Sequence, residues 1–572
     1  MKNNILICGL IAAAFSPAMV SCSSDYLDEA PLTDPSAETV KSSEQGAEAA
    51  ITGLSRQMQI QFADLKNGNL NASGEIFFRN LYGEGLGCDD NVGEITNYST
   101  SATNPAVMRN LTGWWASWMY DYCYSIIGSA NKIIANLPEG ELSDVEHWVN
   151  ACAKTMRAHS YWRLMQVYGP RWADSKNGEE YVLVLRTLGV EPNDKPLNTC
   201  NEVYDQIYAD LDDAIASFGK TTKERGADMF YPDLSVAQGT YARVAMLKND
   251  YTKAQQMAHA ARQPYSIMTP DEYLGGFSTA NREWMWYPAM DPLGTYYWGF
   301  GPHYACNGHY VKSWGYSCSM DYGLYRNLQP TDVRSKLYFG PLLVDLMPDM
   351  AAQYGITKED FFNNDEMTQT KLGVSITGTG KNPTGKKKDM WDFIMAYGKT
   401  LYPLRPADIK GIYQTNTKGI CMGVQYKFQG LDDGYTSCWP PYMRAGEMLL
   451  TEAEAAYMNG DTETAKSCLE ELMAQRDESY TVTATGEALL DEIKLQRRIE
   501  LWGEGSCWFD FKRWNVTMSR KAWDVDNLAT CGGWPNTLAR DFAPDFMYGW
   551  RCAIPNAEFT YNKEADASLL GL

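Results

Sequence analysis

Glu500 and Glu504 lie four residues apart in a strongly charged segment. This spacing can place two side chains on one face of a helix, and two carboxylates about 5–10 Å apart can hydrolyse a glycosidic bond. The same segment contains Arg497, Arg498 and Arg513. Nearby guanidinium groups keep carboxylates ionised, and buried charges require partners. The pattern therefore favours a structural ion-pair network over a catalytic acid and base.

Two short stretches contain groups that could hold a metal ion. His303, Cys306 and His309 are ligand types, but their spacing matches no standard zinc motif. Residues 89–94 offer several side-chain oxygens, but they do not match the calcium loop of an EF-hand. The chain also contains no Gly-x-Ser-x-Gly, His-Glu-x-x-His or phosphate-loop motif, and its five histidines form no evident triad. The sequence therefore predicts no metal, no other cofactor and no catalytic residue.

Aromatic residues concentrate between positions 284 and 325, where 13 of 42 are aromatic, about 31% against 13% for the whole chain. Aromatic faces suit the C–H surface of a sugar ring, and Tyr and Trp add hydrogen bonds at the rim. Interspersed glycines allow the backbone to present such rings on turns. The pattern favours an aromatic ligand-binding surface, with core packing as the alternative for each single ring. We expect ligand contacts from Trp284, Trp286, Tyr296, Tyr297, Trp298 and Trp314.

Helical periodicity precedes this segment. Apolar residues recur at three- and four-residue steps over 118–133, 148–168 and 203–214, which predicts helices with buried faces. Gly169 and Pro170 follow the second stretch and form a strong stop signal. The N-terminal region is therefore predicted to be helical.

Residues 242–254 and 453–465 match each other at a constant offset of 211. Each stretch has alanines, then an Asn-Asp or Gly-Asp pair, then another alanine. Small alanines allow helices to approach closely, and the Asp-containing pair suits a tight turn. The pattern resembles the tetratricopeptide helical hairpin, whose units stack to bury a shared core. Chance similarity between two ordinary hairpins is the alternative.

Residues 265–440 largely lose helical periodicity and contain frequent Gly, Pro, Asn and Thr, most clearly at 377–385. This composition predicts loops and short strands. Trp284 and Trp286 lie two residues apart, as on one face of a strand, so they could also face the core. A structureless loop of this length is not expected in a compact domain. We therefore predict a mainly α fold, a tetratricopeptide-like helical hairpin scaffold with an inserted loop-rich, mixed subdomain.

The first 25 residues resemble a secretory signal. Lys2 precedes an apolar run at 5–15, which is shorter than the roughly 20 residues that a membrane-spanning helix needs. Met19-Val20-Ser21-Cys22 resembles a bacterial lipobox, in which the cysteine is acylated and the chain is cut before it. An ordinary signal peptide with a cysteine by chance is the alternative. We expect lipidation of Cys22 on a mature chain of 551 residues.

Charge and cysteine content narrow the function classes further. The formal net charge of −21 argues against nucleic acid as a partner, because that affinity depends on cationic contacts to phosphate. Besides Cys8 and Cys22, twelve cysteines are scattered from Cys88 to Cys552 without a Cys-x-x-Cys pair. These spacings form no disulfide framework. We expect most of them in the core as free thiols. A few disulfide bridges are the alternative, because export permits disulfides.

Five motifs occur in order along the chain. They are Cys22–Asp28, Arg157–Tyr161 with Tyr168-Gly169, Arg444–Ala453, Arg497–Trp514, and Ile554–Glu558 with Asn562. The ordered set resembles the SusD/RagB family of outer-membrane nutrient-binding lipoproteins. Gln496 and Cys507 depart from the Glu and Arg of the family pattern, and the chain lacks the usual Asn-Pro-Gly-Tyr-like ending.

The resemblance implies a lipid-anchored protein of the outer membrane, exposed at the cell surface and not an enzyme. Such a protein would bind a nutrient, here most readily an oligosaccharide, and deliver it to a TonB-dependent SusC-like transporter. Ligand sites would lie on exposed loops near the aromatic segment, with a second contribution near Asp89–Asn91 or Tyr98. A peptide ligand, as in the RagB branch, and a surface glycoside hydrolase are the alternatives.

The expected organisation has four parts. They are a lipoprotein signal peptide at 1–21, an N-terminal helical SusD-like region at 22–264, an inserted loop-rich ligand-binding subdomain at 265–440, and a C-terminal helical SusD/RagB region at 441–572.

Overall fold

The computed structural model describes residues 44–59, 74–75, 84–92, 110–112, 114–288, 300–309, 318–362, 385–406, 422–431, 438, 440–534, 536, 538–544 and 550–570. The helices in this part of the chain are α1 (Glu44–Gln57), α2 (Trp114–Ala135), α3 (Asp144–Tyr168), α4 (Cys200–Phe218), α5 (Leu234–Leu247), α6 (Tyr251–Arg262), α7 (Pro270–Tyr273), α8 (Phe300–Tyr304), α9 (Tyr322–Tyr325), α10 (Leu342–Leu346), α11 (Pro348–Gln353), α12 (Lys386–Thr400), α13 (Ala445–Met458), α14 (Thr462–Met473), α15 (Glu487–Glu500), α16 (Cys507–Trp514) and α17 (Asn556–Tyr561). The strands are β1 (Asp90–Val92), β2 (Tyr181–Leu183), β3 (Asn198–Thr199), β4 (Trp284–Trp286), β5 (Cys318–Met320), β6 (Tyr338–Phe339), β7 (Val424–Gln425), β8 (Met443–Arg444), β9 (Met518–Arg520) and β10 (Arg540–Phe542).

The predicted helices of the N-terminal region are confirmed as α2, α3 and α4. Helix α3 begins with a capping box, in which Ser143 and Glu146 each accept a hydrogen bond from the other's backbone N–H. It ends at Tyr168, directly before the extended Gly169. Nearly every face of α3 is buried because it packs against α1, α2, α4 and α5.

The two matching stretches form helical hairpins of the same geometry, α5–α6 and α13–α14. Asn249 and Gly460 occupy equivalent turn positions with φ of 59° and 81°. The next residues, Asp250 and Asp461, donate their backbone N–H to the carbonyl five residues earlier, at 2.8 and 2.9 Å. Their carboxylates then accept from the backbone N–H three residues later, at 3.1 and 3.2 Å. The predicted repeat register is therefore confirmed.

The hairpins also stack on each other, since α6 packs against α13. Ala254 and Ala455 are both fully buried in one apolar cluster at this contact. At its edges, Gln255 donates a hydrogen bond to Asp461 at 2.9 Å. This stacking confirms the predicted tetratricopeptide-like scaffold.

The middle of the chain contains short strands and short helices, as predicted. Four strands form an antiparallel sheet in the order β1-β5-β7-β6, and β4 pairs with β8 in a separate sheet. Helix α12 was not predicted, and it is 15 residues long. Its buried side includes Phe393 and Ile394. The domain boundaries at residues 264 and 440 stay predictions.

The C-terminal helix α17 is joined to the N-terminal half by a side-chain clamp. The amide of Asn562 donates to the carbonyl of Lys195 and accepts from its N–H, both at 2.8 Å. Glu558 accepts a hydrogen bond from the Tyr120 hydroxyl at 3.1 Å. Within the described ranges, no helix is both long and apolar enough to cross a bilayer.

Candidate ligand-binding region and the ionic network behind it

Trp284 and Trp286 lie in the core, at 1% and 0% exposure. The expectation that these two rings contact ligand is therefore wrong for this structure, because a stacking ring needs an accessible face. Strand β4 packs Trp286 edge-on against Tyr442 and His159, with ring centroids 5.2 Å apart in each case. The indole N–H of Trp286 donates to the Phe230 carbonyl at 3.0 Å.

The other four predicted rings and the predicted lipidation site lie outside the described residues. These positions are Tyr296, Tyr297, Trp298, Trp314 and Cys22. Their role in ligand binding or anchoring stays a prediction.

The described residues that flank the predicted rings are held firmly by the core. After residue 299, the Phe300 ring packs edge-on against Phe428 at 5.0 Å. Asn307 then exchanges two hydrogen bonds with the backbone of Gly430, at 2.8 and 2.7 Å. After residue 317, strand β5 pairs with β1 on one side and β7 on the other. The described residues next to the ring-bearing segments thus belong to the packed core.

Residues 84–92, here called the docking loop, include Asp89 and Asp90, two of the residues expected near a second ligand contact. Asp89 and Asp90 are 2% and 0% exposed. Asp89 forms an ion pair with Arg498 at 2.5 Å, and Asp90 accepts a hydrogen bond from the Tyr304 hydroxyl. The expectation of ligand contact is therefore wrong for these two carboxylates. Tyr98 and the side chain of Asn91 lie outside the described part of the chain.

A buried ionic network joins charged side chains from the middle and the C-terminal part of the chain. Its members are Glu283, Asp332, Arg334, Lys427, Arg444, Arg476, Glu500 and Glu504. Four cationic and four anionic side chains balance in charge. Such balance is what makes burial of these charges tolerable.

Glu500 is the centre of this network and is fully buried. It contacts Arg334, Arg444 and Arg476 at 3.3, 2.9 and 3.0 Å. Burial alone would raise the pKa of the Glu500 carboxyl, but these three guanidinium groups hold it well below its usual range. A carboxyl in this state cannot serve as a general acid near neutral pH.

Glu504 lies beyond the end of α15, in the turn that follows Glu500, rather than on the helix with it. It pairs with Arg444 at 2.8 Å and with Lys427 at 2.6 Å. Burial lowers the pKa of Lys427 to about 8. Both carboxylates of the predicted segment therefore belong to ion pairs, in agreement with the structural interpretation of the sequence.

Arg497, Asp510 and Arg513 of that segment also form ion pairs. Arg497 contacts Asp510 at 2.6 Å, and Arg513 contacts Asp510 at 3.1 Å as well as Glu454. These pairs join α15, α16 and α13.

Two family models match the chain. The model of the SusD family matches residues 282–565. A second model, described as starch-binding associating with outer membrane, matches residues 25–246. The chain belongs to the SusD family.

Solved structures of SusD-like proteins share this fold over nearly their whole length. A SusD-like carbohydrate binding protein from Bacteroides vulgatus ATCC 8482 is 18% identical, with a TM-score of 0.66, and the match covers 91% of this chain and 97% of that one. A SusD superfamily protein from Bacteroides thetaiotaomicron VPI-5482 is 16% identical, with a TM-score of 0.65 and coverage of 92% and 99%. A SusD-like carbohydrate binding protein from Bacteroides fragilis NCTC 9343 is 15% identical, with a TM-score of 0.58 and coverage of 92% and 99%. Among curated proteins, no sequence matches this chain.

The docking loop of this SusD-family chain contains two buried acidic residues, Asp90, which was expected near a ligand, and Glu84, which no sequence pattern singled out. Burial raises the pKa of Glu84 to about 8 and that of Asp90 to about 7. Glu84 accepts hydrogen bonds from the N–H groups of Gly505 and Ser506, at 2.7 and 3.0 Å. No local pattern signals this role, because the partners of Glu84 lie more than 400 residues away.

A small cavity opens in the helical scaffold of this SusD-family chain. It measures about 60 Å³ and is lined by side chains that include Trp162, Arg243, Glu447 and Phe509. Pockets that enclose small organic ligands measure roughly 300–1,000 Å³. This cavity can hold a few water molecules but not an oligosaccharide.

Proposed function

We propose that this SusD-family protein binds oligosaccharides at the surface of the outer membrane and delivers them to a TonB-dependent SusC-like transporter. The observation that carries the proposal is the match of the chain to the SusD family. The aromatic residues at 289–299 and 310–317 support it, whereas the described rings Trp284, Trp286 and Phe300 are buried. Two solved proteins of the same fold are described as carbohydrate binding. The second family model is described as starch-binding and outer-membrane associated.

The ligand surface in this proposal consists of Tyr296, Tyr297, Trp298 and Trp314. These rings would stack on sugar rings, and their polar edges would donate hydrogen bonds. The described residues on either side of these segments pack into the core.

Lipidation of Cys22 would hold the protein at the membrane. Each buried CH₂ of an acyl chain contributes about 0.8 kcal/mol, so more than one chain gives a stable anchor. The formal charge of −21 does not favour direct adsorption to anionic lipids. A covalent anchor is therefore the means of attachment that fits the chain.

Binding without catalysis agrees with the state of the buried carboxylates. Glu283, Glu500 and Glu504 all form ion pairs with Arg444. A glycoside hydrolase requires one carboxyl that is protonated at the working pH, and the guanidinium groups around Glu500 oppose this. This observation disfavours hydrolysis by this cluster.

Isothermal titration with a panel of neutral oligosaccharides tests the proposal. We expect weak binding, and an affinity about fivefold lower in Trp298→Ala and Trp314→Ala, since loss of a stacking ring costs on the order of 1 kcal/mol. Tyr561→Ala is the matched control, because Tyr561 is 76% exposed on α17, outside the aromatic segment. Unchanged binding in every ring variant would show that these rings do not form the ligand site.

The same protein distinguishes the alternatives. Binding of peptides but of no oligosaccharide would favour a RagB-like role, and release of shorter sugars on incubation would favour a hydrolase. Membrane fractionation of Cys22→Ala tests the anchor, and we expect the variant in the soluble fraction. Co-purification of the wild-type protein with a SusC-like barrel tests the partner.

A further inference from the structure

Two buried cysteines that are 419 residues apart in sequence meet where the docking loop contacts α16. The backbone N–H of Cys88 donates to the sulfur of Cys507 at 3.5 Å. The two sulfur atoms and a carboxylate oxygen of Asp89 all lie within 4.8 Å of one another. Cys88 and Cys507 are 3% and 4% exposed.

The backbone around both thiols is held tightly. A Cβ atom at Gly87 would lie 2.6 Å from the sulfur of Cys507, so glycine is required for the loop to approach this closely. The carbonyls of Leu86 and Gly87 accept hydrogen bonds from Arg520 at 2.7 and 2.9 Å. On the other side, Glu84 accepts the two backbone N–H bonds that precede α16. The two sulfur atoms are therefore kept side by side.

We propose that Cys88 and Cys507 are joined by a disulfide in the exported protein. The inference rests on the export that is part of the proposed function, because disulfides persist in oxidising compartments outside the cytoplasm. The two sulfur atoms lie within 4.8 Å of each other, and the bond requires them to approach to about 2 Å.

The surroundings favour a disulfide over a metal ion. Both oxygens of Asp89 already accept hydrogen bonds from Arg498, at 2.5 and 2.9 Å, and this cation would repel a divalent ion. A metal would also require thiolates, whereas burial raises the pKa of both Cys88 and Cys507 above its ordinary value. A disulfide is neutral, so its burial requires no desolvation of a charged group.

The reaction is a thiol–disulfide exchange. The two S–H bonds of Cys88 and Cys507 break and one S–S bond forms between them. The two protons and two electrons pass to the disulfide of an extracytoplasmic thiol–disulfide oxidoreductase, whose S–S bond breaks and which leaves as a dithiol. Since the thiolate is the attacking species and burial disfavours it, the exchange takes place before the docking loop is buried.

The bond would link the N-terminal half to the C-terminal half of the fold. It would close a loop of more than 400 residues, and the entropy removed from the unfolded chain grows with loop length. It would also fix strand β1, which forms the last three residues of the docking loop and belongs to the four-stranded sheet. The frame of the proposed ligand surface would gain rigidity from it.

Mass spectrometry of the exported full-length protein tests the bond directly. The protein is denatured without reductant, treated with N-ethylmaleimide and digested. We expect the peptides of Cys88 and Cys507 to appear as one unlabelled, cross-linked species that dithiothreitol separates. Full labelling of both thiols, also after incubation with oxidised glutathione in dilute urea, overturns the proposal. Stoichiometric metal without a cross-linked peptide overturns it as well.

Thermal unfolding gives a second, independent measurement. We expect dithiothreitol to lower the Tm of the wild-type protein by roughly 3–8 °C and to leave the Tm of Cys88→Ala unchanged. Cys468→Ala is the matched control, because this buried thiol lies on α14, and its Tm should fall on reduction as in the wild type. If dithiothreitol changed the Tm of Cys88→Ala and Cys468→Ala by the same amount, the result would contradict the Cys88–Cys507 bond. Oligosaccharide titration of the same samples shows separately whether the proposed function holds.

Discussion

The stacked hairpins and the ionic network are both buried, but they are stabilised in different ways. In the hairpins, small apolar side chains such as Ala254 and Ala455 permit close helix packing, and each turn is closed by bonds between residues near in sequence. In the network, Glu500 requires Arg334 and Arg444, which come from distant parts of the chain. A substitution in a hairpin should therefore lower the stability by a small amount that depends on the local packing. Removal of one network member should lower it more, because several buried charges lose a partner.

The largest effect is expected for Arg444→Met. Arg444 pairs with Glu283, Glu500 and Glu504, so its removal leaves excess buried negative charge. We expect the free energy of unfolding, measured by urea denaturation, to fall by about 3–5 kcal/mol. The control Arg282→Met breaks only a partly exposed pair with Glu272 and should lose less than about 1 kcal/mol. Similar losses in the two variants would contradict the distinction.

A smaller effect, which depends on pH, is expected at Glu84. Within the described ranges its carboxyl pairs with no cationic side chain, and burial together with the charges of Asp90 and Asp89 raises its pKa to about 8. The folded state thus retains a proton that the unfolded state releases near pH 4.5. This contribution to stability is complete below pH 4.5 and is lost as the pH rises to about 8.

Glu84→Gln should reduce the loss of stability between pH 5 and pH 9 by about 1–3 kcal/mol. Urea denaturation at the two pH values measures it. Glu463→Gln, at a side chain that is 89% exposed, is the control and should behave as the wild type. A variant with the same pH dependence as the wild type would show that Glu84 is already ionised in the fold.

Overpacking of the hairpin contact should cost about 1–3 kcal/mol. In Ala455→Leu, the larger side chain enters the fully buried cluster between α6 and α13, and the helices must move apart. Chemical denaturation of this variant is compared with Ala474→Leu, in which the added side chain is exposed after α14. A loss above 5 kcal/mol would mean that the hairpins are as sensitive as the network.

The smallest effect is expected in the turn of the second hairpin. Gly460 has a φ of 81°, and nothing lies within 4 Å of a Cβ added there, so substitution strains only the backbone. Gly460→Ala should cost about 1 kcal/mol. Gly460→Asn should cost less, because Asn249 already occupies the equivalent position. The difference in Tm between the two variants measures this preference.

The hairpins could be predicted from the sequence because their determinants are local. Alanine spacing and an Asp-containing turn lie within 13 residues in each copy. Helix α12 was missed although Met390, Phe393, Ile394 and Tyr397 follow a helical period and are buried. Its first turn consists of lysines and Gly398 interrupts its end, and both features weaken the pattern.

The buried partners could not be predicted, because they depend on tertiary contacts. Arg334 and Glu500 are 166 residues apart, and no spacing rule connects them. The burial of Trp284 and Trp286 has a similar origin. Met285 between them is buried too, and a strand buried on both faces gives no alternation that would separate core rings from exposed ones.

The clamp at Asn562 sets an order of events during biogenesis. Lys195 obtains its two hydrogen bonds from a residue that is synthesised 367 positions later. This part of the early half therefore cannot be completed until almost the whole chain has been synthesised. Truncation before residue 562 would remove the partner of both backbone groups of Lys195.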